Sequence, residues 1–100
     1  MIIVLTACQN KPEALKIARS LLKKRLIACA NYWPIESDYW WNGKLQHATE
    51  CLLSCKALER NWKKIGKEIQ QMHSYELPII DCVSVKANAR ALEWVRKESR

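Results

Sequence analysis

The sequence predicts an α+β sandwich, one antiparallel sheet with helices on one face, and three observations carry that prediction. Two long segments repeat apolar residues at three- and four-residue spacing, as half-buried helices do. Four others are apolar or alternate at period two, as strands do, and Asn42-Gly43 joins two of them with the strongest short hairpin signal. At 100 residues, 49% of them hydrophobic and only two of them glycine, the chain reads as one domain over 1–100 with little loop.

Met1 to Cys8 is a nearly unbroken apolar run with β-branched residues, expected as a central strand covered on both faces. Asn10 and Pro12 then mark a helix start, and Ala14, Ile17, Ala18, Leu21 and Leu22 form one apolar stripe as far as about Arg25. From Ile27 to Trp41 and from Leu45 to Cys55 the period falls to two, giving a long hairpin about the Asn42-Gly43 turn. Each arm holds some 14 residues, roughly 45 Å at about 3.3 Å per residue, against a diameter of roughly 35 Å for a compact domain of this size. The hairpin therefore overhangs its own domain.

A second helix is expected over Glu59 to Met72, with Trp62, Ile65, Ile69 and Met72 as its apolar stripe. Leu77 to Val85 reads as a strand with Pro78 near its start, and a last helix runs from an Asn88 cap to Glu98, burying Ala91, Leu92 and Val95. The order β-α-β-β-α-β-α is a split β-α-β repeat, the ferredoxin-like sandwich, with a C-terminal helix added.

Composition narrows the function. The longest apolar runs fall far short of the roughly 20 residues that cross a bilayer, so no membrane partner is expected. No basic leader segment precedes the first strand, and the odd count of five cysteines reads as free thiols, so the expected compartment is the cytoplasm. The net charge of +7 is spread over helix positions that interleave with apolar ones. That pattern is a solvated helix face more than a phosphate-tracking surface, and no nucleic-acid partner is expected. Tyr32, Trp33, Tyr39, Trp40 and Trp41 crowd one hairpin arm, where an uncovered apolar patch points to an interface between copies, stacking of bases being the alternative.

Cys51 and Cys55 would share a metal on a helix, but on a strand four residues separate them by about 13 Å. No nucleophile-and-base pair or phosphate loop stands out, and the chain is not expected to be an enzyme. The segment Met72-His73-Ser74-Tyr75-Glu76, between a helix and a strand, gathers a thioether, an imidazole, a phenol and a carboxylate, a donor set compatible with copper. His73 has two readings at this point, a metal ligand or a cap on helix carbonyls. With Cys8 and Met72 it makes up the candidate metal donors.

Several motifs together resemble the CutA family, associated with divalent-cation tolerance. They are Glu13-Ala14 with Ile17-Ala18, Leu26-Ile27-Ala28-Cys29-Ala30-Asn31, the run Ser37-x-Tyr39-x-Trp41-x-Gly43-Lys44-Leu45, Glu50, Lys56, His73-Ser74-Tyr75-Glu76-x-Pro78, and Leu92-x-Trp94. The resemblance implies a ferredoxin-like homotrimer built by edge pairing of long hairpins and similar to the PII signalling proteins. It implies copper, or another divalent cation, as ligand. Of the copper positions proposed in the family, this sequence matches His73; Thr6 and Met72 hold the other two, and Cys8 lies two residues beyond Thr6. The resemblance also implies clefts between subunits lined by Glu50, Lys56, Tyr75 and Glu76, able to take a small molecule or an anion, and leaves room for a protein partner.

Overall fold

A computed structural model describes residues 1–100. Its elements are β1 (Ile2–Cys8), α1 (Lys11–Lys23), β2 (Cys29–Trp41), β3 (Lys44–Ala57), α2 (Trp62–Met72), β4 (Ile80–Ser84) and α3 (Ala89–Glu98). The four strands form one sheet in the order β2-β3-β1-β4, and all three pairings are antiparallel. This is the mixed sandwich that the sequence predicts, with β1 central and β2 and β4 on the edges.

The core lies between one sheet face and the helices α1 and α2. Ile2, Val4 and Cys8 from β1 and Cys51, Leu53, Cys55 and Ala57 from β3 meet Ala14, Ile17, Ala18 and Leu21 of α1 and Ile65 and Ile69 of α2. Alternation along β1 is strict: Ile2, Val4, Thr6 and Cys8 are buried, while Ile3, Leu5 and Ala7 are only half-buried. The expectation that both faces of this strand are covered is therefore corrected for the isolated chain, because the two long helices share one side of the sheet. Leu22, counted in the α1 stripe, is 38% exposed. In α3 only Val95 is buried, with Ala91 and Leu92 half-buried.

Local chemistry sets the boundaries. Asn10 is extended and its side chain accepts a hydrogen bond from the Glu13 amide, which caps α1 with Pro12 in its first turn. At the other end Arg25 turns to φ 58°, and the amides of Leu26 and Arg25 donate to the carbonyls of Leu21 and Leu22. These two bonds close α1 with the two-bond left-handed cap usually built on glycine. Arg25 also pairs with Glu98 at 3.1 Å, and the Arg100 amide donates to the Arg25 carbonyl, which ties the chain's end to this corner.

Glu59–Asn61 form a short 3-10 turn before α2 begins. Asn61 does not cap α2; its buried side-chain amide donates instead to the Leu26 carbonyl, linking the two helix ends. The last strand is shorter than Leu77 to Val85, starting only at Ile80. Pro78 has no N–H for a sheet ladder, and the Thr6 hydroxyl donates to the Ile79 carbonyl in place of backbone pairing.

Beyond Cys8, β1 ends while the hairpin continues for seven more pairs, Ile35↔Glu50 through Trp41↔Lys44, which touch no other strand of this chain. The long axis of the molecule is 45 Å, as the arm length requires, against 24 and 21 Å across. Trp40 and Leu45 are 72% and 66% exposed on this arm. At its tip Asn42 and Gly43 both take positive φ, 51° and 75°, the turn whose twist matches the flanking strands. A Cβ at Gly43 meets nothing within 4 Å. Gly43→Ala should therefore cost about 1 kcal/mol, through left-handed strain alone, read as a lowered denaturation midpoint with an unchanged spectrum.

Candidate functional site

Three side chains converge where β1 ends. Cys8 is the last residue of β1, Glu13 lies in the first turn of α1, and His73 follows the last turn of α2; one ligand atom from each lies within 4.8 Å of the others. The Cys8 residue and the His73 side chain are fully buried, and the Glu13 side chain is 12% exposed. Glu13 stands where a capping residue would fold back on its own helix. Its carboxylate reaches across instead to accept from the Ser74 amide at 3.2 Å and the Ser74 hydroxyl at 2.6 Å, fastening the α2–β4 loop to α1.

The imidazole is held at both nitrogens. Its Nε2 lies 2.9 Å from the Ala7 carbonyl, which can only accept, so Nε2 carries the proton. Nδ1 then accepts from the Tyr75 amide at 3.2 Å. The same Nδ1 lies 3.2 Å from Glu13 Oε1. A cation placed among Nδ1, the carboxylate and the thiol satisfies all three, and the Nε2–H bond to a carbonyl is the arrangement that orients metal-binding histidines.

Two thiols of the core resist ionisation. Burial pushes Cys8 up to about 12, with the nearby Glu13 charge adding to it, and burial likewise pushes Cys55 up to about 12. Desolvation, followed by its bond to Glu50, raises the Tyr75 phenol as well.

Of the metal donors expected from sequence, Cys8 and His73 are brought together. Met72, the last residue of α2, packs half-buried against the apolar core. Glu13 completes the cluster; it is not among the donors expected from sequence, since no spacing along the chain links the start of α1 to His73. Of the cleft residues, Glu50 and Tyr75 are joined, the phenol donating to the carboxylate. Lys56 lies six residues along β3 from Glu50, roughly 20 Å away, where it donates to the Asn31 side chain at 2.9 Å. Glu76 is exposed. A groove of about 370 Å³ opens beside Glu50, lined also by Lys11, Tyr32, Trp33, Pro34 and Cys51. His47, on the overhang, pairs with Asp38 at 2.6 Å and Glu36 at 3.4 Å, and the Asp38 bond raises its pKa.

Thiol titration makes alkaline stability a direct check on this packing. The unfolded chain releases these protons near the ordinary thiol value of 9.0, whereas folded Cys8 and Cys55 hold theirs to about 12. Their contribution to stability is thus complete below pH 9 and lost as pH rises towards 12. Denaturation midpoints should fall over that window, and by less in Cys55→Ala than in wild type; parallel pH profiles would contradict the burial of this thiol.

The comparisons with known proteins agree with one another. Residues 2–98 match the family described as CutA1 divalent ion tolerance protein. A divalent-cation tolerance protein CutA from Thermotoga maritima is 37% identical over 98 residues, covering 97% of each chain. A crystal structure of CutA from Pyrococcus horikoshii superposes with a TM-score of 0.97 at 36% identity, covering 100% of both chains. Another from Archaeoglobus fulgidus, described as a periplasmic divalent cation tolerance protein, superposes with a TM-score of 0.95 at 32% identity over 98% of each. No helix of this chain is long and apolar enough to cross a membrane. By sequence and by fold, the chain belongs to the CutA1 divalent ion tolerance protein family.

Proposed function

We propose that this protein acts in divalent-cation tolerance as a cytoplasmic homotrimer that binds a metal ion, copper foremost, weakly at the Cys8–Glu13–His73 cluster and catalyses no reaction. The observation that carries the reading is the facing pair at 3.2 Å, His73 Nδ1 and Glu13 Oε1, with the Cys8 thiol beside them. A thiol and an imidazole suit copper and zinc, and the carboxylate contributes negative charge toward a divalent ion. Binding is weak because the ion must displace the Tyr75 and Ser74 bonds and take the proton from a thiol that burial keeps neutral. The five free cysteines support a reducing compartment. The trimer is supported by the seven-pair overhang, whose exposed aromatics and free β2 edge need a covering surface.

A second reading, a PII-like scaffold with a small ligand between copies, is favoured by the groove that Glu50 shares with Lys11 and Tyr32. There Lys56 and Glu76 of neighbouring copies would complete the set that one chain keeps apart. Interleaving of the helix lysines with apolar residues supports the absence of a nucleic-acid partner.

Titration of the reduced protein with Cu(I), in competition with a chromogenic chelator, and with Zn(II) as a redox-silent divalent probe tests the metal reading. Wild type should bind one ion per chain, more weakly as pH falls. His73→Gln, checked for folding by its melt, should bind roughly tenfold or more weaker, and Glu13→Gln should weaken Zn(II) more than Cu(I). Identical isotherms for wild type and His73→Gln would remove the site.

A further inference from the structure

The register of β1 on β3 places two thiols opposite each other. Cys8 and Cys51 are direct cross-strand partners at the last rung before β1 ends, on the helix-covered face. Directly opposed residues of antiparallel strands have Cα atoms about 4.5 to 5.5 Å apart, on either kind of rung, within the roughly 4.4 to 6.8 Å that a disulfide spans. Both are free thiols. Their access differs: Cys8 is 0% exposed, whereas Cys51 is 5% exposed and lines the groove beside Glu50. Burial raises the Cys51 thiol above its ordinary value, and Lys11, on the same groove, offsets part of that rise. No other cysteine repeats this arrangement, since Cys55 lies opposite Val4 and Ala30, Cys29 opposite Lys56, and Cys82 opposite Val4.

We propose that Cys8 and Cys51 form a reversible cross-strand disulfide by exchange with a low-molecular-weight disulfide that enters through this groove. The Cys51 thiolate attacks one sulfur of the incoming disulfide, whose S–S bond breaks, and one thiolate leaves with the proton released by Cys51. Cys8 then attacks the Cys51 sulfur of the mixed disulfide as its proton passes to the second small thiolate, which is expelled as a thiol. The pair loses two electrons and the small disulfide gains them, yielding two small thiols. Oxidation withdraws Cys8 from the cluster with Glu13 and His73, so the same strand end holds either a thiol donor or a bridge. The bridge needs only the strand register, and its failure leaves the metal reading standing.

The experiment is equilibration of the folded, metal-free protein in buffers of oxidised and reduced glutathione, acid quenching and intact-mass analysis, followed by fragmentation that separates Cys51 from Cys55. The expected product is a monomeric chain lighter by two hydrogens, with Cys8 linked to Cys51, and free thiols in denaturant falling from five to three. A reducing buffer should restore all five. Glutathione adducts without the link, a bridge through Cys29, Cys55 or Cys82, or five persistent thiols across the series would each overturn the proposal. Zn(II) titration of the oxidised form supplies the second readout, and binding unchanged from the reduced protein would contradict the loss of Cys8 as a donor.

Discussion

The register between β1 and β3 is the constraint on which the rest of this structure depends. Ile2↔Ala57 through Cys8↔Cys51 sets Ile2, Val4, Thr6 and Cys8 toward the helices. A slip of one residue would turn all four outward and bring Ile3, Leu5 and Ala7 in, so the buried face permits one alignment. From that alignment follow the end of the central strand at Cys8, the convergence of α1 and α2 on that end, and the length of hairpin left without a third strand. The candidate metal cluster, the groove beside Glu50 and the opposed thiols are all neighbours of this one terminus.

The helix ends reach that terminus for separate local reasons. Asn10 satisfies the first turn of α1, which releases the Glu13 carboxylate to bind Ser74. His73 closes α2 with its amide on the Ile69 carbonyl, while its ring reaches the Ala7 carbonyl. Of the two readings of His73 open from sequence, the cap on helix carbonyls is not what the ring does: the bond that closes α2 comes from the backbone amide, and the imidazole bonds the Ala7 carbonyl of β1 and enters the cluster.

Much of this was legible in the sequence because the signals were local. Period-two alternation and Asn42-Gly43 gave the hairpin and its tip, and the spacing of Ile17, Leu21, Ile65 and Ile69 gave the buried stripes. The turn at Arg25 was hidden because a non-glycine residue takes the left-handed position there. The late start of β4 depends on Thr6, 73 residues from the carbonyl that it binds. Glu13 stands outside the donor set legible in the sequence because nothing local to the first turn of α1 states that His73 lies beside it. Cys8 and Cys51 could not be paired in advance, since nothing local in either strand states which residue of the other will face it. The resemblance to the family brought Glu50, Lys56, Tyr75 and Glu76 together as one cleft, whereas within a single chain only Glu50 and Tyr75 touch.

In the proposed homotrimer, other copies complete the hairpin that the strand register leaves without a third strand in one chain. Hydrogen exchange resolved along β2, followed from high to low protein concentration, reads this directly. The Ile35–Trp41 amides should exchange as slowly as those of β1 in the assembled protein and become fast on dilution, because within one chain this arm has β3 on one side and water on the other. Fast exchange of these amides at every concentration, beside a protected β1, would contradict the account.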